Sequence, residues 1–265
     1  MFATFSVDYD EMFENQVDSF IERKSRHIYQ YFSQFRPPLS ISDILDSNSI
    51  LFADEIMDRY FHEIKPDIFI SHSHKDFLKV RKFADYLWEN FGLISFIDSV
   101  FWGYIQDLLA EFENKYGCQE DAVSHVHVFL LASLAKVMDA SSGIFLFITP
   151  NSLKISNETV ITQSSWIYSE LEIARLLRRK YSEENLGFDG GQPIFEHFSL
   201  ENERNEYVLQ NILEELPVAN GEFMKTWSQQ VLEETRSWDT SENDDRAVLA
   251  LKVLEEMVCL QTSSQ

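Results

Sequence analysis

The chain contains little cysteine, glycine or proline. Among its 265 residues there are 2 cysteines, 8 glycines and 6 prolines. Scarce glycine and proline leave few tight turns, which disfavours an all-β fold and favours helices. Two cysteines cannot form a disulfide framework, so we expect Cys118 and Cys259 to be reduced thiols. A disulfide between them, or a nucleophilic Cys118, has no motif to support it.

Basic residues are half as numerous as acidic ones. The chain has 22 lysines and arginines against 44 aspartates and glutamates, and its net charge is −22. Such a field repels phosphate backbones, so we expect no direct nucleic-acid partner. A local pocket can oppose the global field, and the charge therefore does not exclude a dinucleotide ligand.

Hydrophobic runs are short. The longest lie near Val126–Met138 and Gly143–Ile148, well below the ~20 residues that a membrane-spanning helix needs. Residues Met1 to Phe20 are acidic and lack the basic start and apolar core of a signal peptide. We therefore expect a cytoplasmic protein that does not enter a membrane.

Residues 67–98 have the pattern of a strand–helix–strand unit. Asp67–Ser71 and Leu93–Ile97 are short runs rich in β-formers, and residues with helical periodicity lie between them. Ser73 is the expected N-cap of that helix and Gly92 its expected C-cap. The unit has the size of a βαβ crossover, which predicts two parallel strands.

The pattern of alternating elements continues along the chain. A third strand is predicted at Gly143–Ile148, a helix at about Trp166–Lys180 and a fourth strand at Gln192–Phe198. This order predicts an α/β fold with a flavodoxin-like parallel sheet and helices on both faces. Ligands of such sheets bind at the carboxyl ends of the strands.

Both ends of the chain are predicted to be helical. The sequence divides into an N-terminal helical extension (1–65), a middle domain (66–200) with a helical insert at about 104–138, and a C-terminal helical extension (201–265). The extensions either pack on the middle domain or form a separate bundle.

Four segments of the middle domain resemble Toll/interleukin receptor (TIR) domains, in the family's order. They are the strand Asp67–Ser71, the strand end Phe96–Asp98 followed by Trp102 in the position of the mobile BB loop, the strand and turn Ile144–Ser152, and the Ser-Trp-x-x-x-Glu-Leu motif at Ser165–Leu171. The resemblance covers about half the chain and is closest to prokaryotic TIR proteins of anti-phage defence. The 44 residues from Ser99 through Ser142 exceed what a typical TIR domain has there.

Glu170 lies in that last motif. On a helix it shares an apolar stripe with Trp166, Ile173 and Leu177. Burial of a carboxyl group on such a stripe raises its pKa, and a perturbed carboxyl group is a candidate for catalysis. The alternative is a carboxylate at the edge of the core that serves as a cap or ion pair. Glu172, on the opposite face near two arginines, is predicted to be an ordinary solvated residue.

The resemblance implies a TIR-type NAD glycohydrolase or cyclase with Glu170 as its catalytic residue. NAD is then a substrate, no cofactor is needed, and the products are nicotinamide and an ADP-ribose-derived signal, linear or cyclic, in anti-phage immunity. The expected partners are a separate effector protein that reads this signal and further copies of the chain in a homo-oligomer. The alternative is a non-catalytic adaptor that acts by TIR–TIR assembly. An open pocket at Glu170 would favour the enzyme, and a sealed one the adaptor.

The resemblance also implies a set of substrate-binding residues. They are Ser71, His72, Asp98, Trp102 and Trp166. Each has a structural alternative, namely helix capping, loop support or ordinary packing. No metal site is predicted, because the pairs His72/His74 and His125/His127 lack further ligands at a suitable spacing. A receiver-like phosphoacceptor at Asp98 is a weaker third interpretation, since Ser71 and His72 replace the acidic pair that such domains carry.

Overall fold

A computed structural model describes residues 3–9, 14–15, 17, 65–99, 131–156, 159–186, 207–208, 216–237 and 243–262. The predicted strand Gln192–Phe198 and most of the predicted insert lie outside these ranges.

Eight strands and five helices lie in the described ranges. The strands are β1 (Ala3–Asp8), β2 (Ile68–Ser71), β3 (Ser95–Ile97), β4 (Gly143–Ile148), β5 (Lys154–Ser156), β6 (Thr159–Thr162), β7 (Tyr207–Val208) and β8 (Val218–Ala219). The helices are α1 (Phe77–Phe91), α2 (131–140), α3 (Ser165–Leu186), α4 (Gly221–Glu234) and α5 (Asn243–Thr262). None of these five helices has an apolar stretch long enough to cross a bilayer.

Five strands form one sheet in the order β3-β2-β4-β1-β8, and all of its pairings are parallel. Strands β5, β6 and β7 form a small antiparallel sheet beside it. The predicted α/β fold with a parallel sheet is therefore confirmed, and the sheet is consistent with a flavodoxin-like fold. The strand order is not identical to the flavodoxin order 2-1-3-4-5. With β8 counted as the fifth strand it reads 3-2-4-1-5, because β1, the first strand of the chain, lies in the fourth place.

The position of β1 corrects the prediction that residues 1–65 are helical. Ala3–Asp8 is a strand between β4 and β8, whereas Glu14, Asn15 and Val17 are helical as expected. Phe5 and Val7 are completely buried in the core on one face of the sheet. In Ala3–Asp8, apolar residues alternate with short polar ones, which is the period of a strand. The pattern is only six residues long, and the helical periodicity of the residues that follow it is stronger.

The sheet is covered on both faces. Ile68, Ile70, Phe145 and Phe147 pack with α1, α4 and α5 on one face. Phe69, Phe96 and Ile144 pack with α2 and α3 on the other. The described part of the chain therefore has three layers, helix, sheet and helix, as parallel sheets require.

The C-terminal helices pack on the sheet and do not form a separate bundle. Trp227 of α4 is completely buried and stacks on Phe91 of α1, with ring centroids 3.9 Å apart. Its indole Nε1–H donates to the carbonyl of Ala250 in α5 at 3.0 Å. Through this side chain, α1, α4 and α5 share one core.

Trp227→Ala should destabilise the whole protein. Loss of this fully buried ring should lower the free energy of unfolding by about 3–5 kcal/mol, measured by urea denaturation. Leu232→Ala is the matched control, because Leu232 lies on the same helix and is 64% exposed; it should cost about 0.5 kcal/mol or less. A loss below about 1 kcal/mol for Trp227→Ala would contradict a shared core.

Candidate functional site

Strand alternation directs Ser71 towards α3. Ser71 is the last residue of β2 and lies two positions after Phe69, so both side chains point to the same face of the sheet. Phe69 packs there against Ala174 of α3. The Ser71 hydroxyl donates a hydrogen bond to Oε2 of Glu170 at 2.5 Å, which joins the end of β2 to α3.

The start of α3 is fixed by a side-chain cap. The backbone N–H of Ile167 donates to Ser164 Oγ at 3.2 Å, so Ser164 is the cap. Ile167, Leu171 and Ala174 of this helix are buried. Glu170 lies among them and is only 1% exposed.

The environment of Glu170 favours its protonated form. Burial raises the pKa of this carboxyl group well above its ordinary value, and the negative charge of Asp98 raises it further. The hydrogen bond from Ser71 opposes these effects in part, because it stabilises the ionised form, and the nearby Trp166 side chain acts in the same direction. The prediction of a buried Glu170 with a raised pKa is confirmed. Glu172 is 34% exposed and lies 3.9 Å from Arg175 Nη1, as expected for an ordinary surface ion pair.

His72 joins the ends of β2 and β3. Its Nδ1 lies 2.9 Å from Oδ1 of Asp98 and 3.3 Å from the carbonyl oxygen of Ile70. Its Nε2 lies 2.7 Å from Oγ of Ser99. His72 and Asp98 are 4% and 3% exposed, and Ser99 is partly exposed. The three side chains form a continuous hydrogen-bonded row.

The structure brings most of the predicted site residues together. Ser71, Asp98 and Trp166 surround the Glu170 carboxyl group, and His72 contacts Asp98. Trp102 lies outside the described residues. The role of these residues in binding NAD remains a prediction.

Sequence reasoning missed Ser99. The sequence offers little evidence for a functional role of Ser99, because it is only a polar residue that directly follows Asp98 at the end of a predicted strand. The contact with His72 depends on the register between β2 and β3, which the sequence does not specify.

A second polar cluster holds the adjacent loops in place. The Asp76 carboxylate accepts hydrogen bonds from Thr149 Oγ1 at 2.5 Å and from Asn151 Nδ2 at 2.8 Å. These bonds tie the connection between β2 and α1 to the turn after β4. The predicted cap at Ser73 was wrong: its side chain makes no capping hydrogen bond, because the 3-10 turn His74–Asp76 precedes α1.

Within the described ranges, no group of three or more His, Cys, Asp or Glu side chains could hold a metal ion. His72 and His74 have ring centroids 6.5 Å apart, and both nitrogens of His72 already have polar partners. His125 and His127 lie outside the described residues.

Comparisons with protein-family models, with curated proteins and with solved structures gave no match to this chain. The TIR resemblance therefore depends on the four segments named above.

Glu170→Gln should stabilise the protein in a pH-dependent way. Because the folded pKa exceeds the ordinary value of 4.5, the native state holds the proton longer, and wild-type stability falls as pH rises from the unfolded towards the folded pKa. Glutamine stays neutral and can still accept the hydrogen bond from Ser71. We expect the melting temperature of Glu170→Gln to exceed that of the wild type at pH 8, by about 2–4 °C for each kcal/mol relieved, and the difference to disappear near pH 4.

Glu172→Gln is the control for this measurement, since Glu172 lies two residues away and is half-exposed. It should change stability by about 0.5 kcal/mol or less at every pH. If the difference in melting temperature between Glu170→Gln and the wild type stays constant from pH 4 to pH 8, the Glu170 carboxyl group does not titrate with a raised pKa.

Proposed function

We propose that this chain is a TIR-type enzyme that cleaves NAD, with Glu170 as its catalytic carboxylate. The observation that supports this most is the Glu170 carboxyl group itself. Its pKa is raised, it lies beside Asp98, and it contacts Ser71 at the carboxyl end of a parallel strand. Strand β2 has β3 on one side and β4 on the other, and ligands of doubly wound sheets bind at such a reversal of strand order.

The proposed reaction breaks the bond between nicotinamide and ribose. The ribose carbon passes through an oxocarbenium-like state, whose positive charge an ionised Glu170 stabilises. Nicotinamide carries a cationic ring nitrogen in NAD, so it departs as a neutral molecule without a proton donor. Attack by water on the ribose carbon gives ADP-ribose, and attack by a group of the same molecule gives a cyclic product.

Access to Glu170 sets a condition on this proposal. With 1% of the residue exposed, the carboxyl group must be uncovered before a dinucleotide can reach it. TIR enzymes commonly complete their site between two subunits, so we propose that assembly of a homo-oligomer uncovers and completes the site. Activity should then rise more steeply than protein concentration.

The proposed partners follow from the same reaction. NAD is the substrate, the chain carries no cofactor of its own, and the ADP-ribose-derived product acts on a separate effector protein in the cytoplasm during anti-phage defence.

The burial of Glu170 also favours the second candidate, a non-catalytic adaptor. A carboxyl group that stays sealed between β2 and α3 in every state of the protein serves only to fix the helix to the sheet. In that case the chain would signal by TIR–TIR assembly and leave NAD intact.

Glu170→Gln should abolish nicotinamide release. Loss of the charge that stabilises the oxocarbenium-like state should slow the reaction by about 10²–10³-fold, whereas Glu172→Gln should retain wild-type activity. The purified proteins are incubated with NAD over a series of protein concentrations, with and without lysate of infected cells. Nicotinamide and its co-product are identified by mass spectrometry, and the mass of the co-product separates hydrolysis, cyclisation and transfer to another acceptor.

Equal nicotinamide release by the wild type and Glu170→Gln would remove Glu170 from the mechanism. If the wild type leaves NAD intact at every concentration and in lysate, the enzyme proposal fails. A chain that still forms homo-oligomers under those conditions would instead support the adaptor.

A further inference from the structure

We propose that Ser99 is an activated nucleophile, and that Ser99, His72 and Asp98 form a second catalytic site that takes acyl esters. The proposal does not depend on NAD cleavage. It is based on the hydrogen-bonded row in which a hydroxyl group, an imidazole and a buried carboxylate follow one another, which is the arrangement that activates serine nucleophiles.

The strand register places these residues side by side. Ile70 of β2 is paired with Ile97 of β3 in a parallel ladder. His72 and Ser99 each follow that pair by two residues, at the carboxyl ends of neighbouring strands. Their contact at 2.7 Å is therefore a consequence of the register.

The hydrogen bonds of His72 determine which nitrogen carries its proton. Nδ1 faces the Asp98 carboxylate and the carbonyl oxygen of Ile70, and a carboxylate and a carbonyl can only accept. Nδ1 therefore bears the hydrogen of the neutral ring, and Nε2 presents a lone pair. The Ser99 hydroxyl donates to that lone pair, so Nε2 is positioned to remove its proton.

Burial strengthens the interaction between His72 and Asp98, while the nucleophile stays within reach. The side chains of His72 and Asp98 are 0% and 3% exposed, so their interaction is little weakened by water. Asp98 can stabilise the imidazolium ion that forms when His72 takes the proton. Ser99 is partly exposed, which is where a nucleophile must be. Ser71 differs on both counts, because it is buried and donates to a carboxyl group.

The proposed step transfers an acyl group. The Ser99 oxygen bonds to the carbonyl carbon of the ester, Nε2 of His72 takes the hydroxyl proton, and the bond from that carbon to the alcohol oxygen breaks. His72 returns the proton to the departing alcohol. Water then adds to the acyl carbon while His72 takes its proton, the bond from that carbon to the Ser99 oxygen breaks, and His72 returns the proton to Ser99 as the acid leaves. This step requires no charge on the substrate, so we propose a neutral ester.

The experiment is labelling of the full chain with diisopropyl fluorophosphate. The Ser99 oxygen should bond to phosphorus and expel fluoride, and peptide mass spectrometry locates the adduct. We expect an adduct on Ser99 in the wild type and none in Ser99→Ala. Asp98→Asn preserves the shape but donates to Nδ1, which moves the ring proton to Nε2. It should slow labelling by about 10²-fold or more.

Ser73→Ala is the matched control, because Ser73 is also partly exposed and adjacent to His72 in the sequence; it should label like the wild type. Melting temperatures establish that each variant is folded. The proposal is overturned if the folded wild type gives no adduct on Ser99. It is equally overturned if folded Asp98→Asn labels Ser99 at the wild-type rate, since Ser99 would then react without the imidazole.

Discussion

The parallel pairing of β2 with β3 on one side and β4 on the other determines where every polar group of the candidate site lies. Side chains in a parallel ladder keep a fixed register, so the residues that follow the paired positions meet at one edge. Ser71, His72, Asp98 and Ser99 all belong to that edge, and Glu170 reaches it from α3. Without this register the same residues would be unrelated polar positions along the chain.

Burial of polar side chains costs desolvation free energy, and the side chains of this site compensate for it in two different ways. His72 and Asp98 satisfy each other and form a pair of complementary groups. Glu170 has a hydrogen bond from Ser71, but the charge of Asp98 acts against its ionisation. The resting site therefore favours a neutral Glu170. In the proposed enzyme, uncovering the carboxyl group would lower its pKa towards the ordinary range, because water would again solvate the ion. Opening and ionisation would then occur together.

Local patterns in the sequence are sufficient to predict the elements at the centre of the fold. The β-rich runs before Ser71 and Asp98, the left-handed Gly92 (φ 71°) and the apolar stripe around Glu170 each depend on neighbours in the sequence, and all are present in the structure. Strand β1 was missed because its signal is six residues long, and β8 has only two residues. Both owe their conformation to partners far along the chain. The sequence therefore predicts helical extensions for the two ends of the chain, although β1 and β8 belong to the five-stranded sheet.

Asp98 couples the two proposed activities. On one side its charge adds to the effect of burial in raising the pKa of Glu170, and on the other its carboxylate accepts the hydrogen bond from Nδ1 of His72. A change at one group of this network therefore alters the electrostatic environment of the others. Groups within one such network do not contribute additively. Replacement of Asp98 would disturb both proposed activities, whereas replacement of Glu170 or of Ser99, at the opposite ends of the network, would disturb only one.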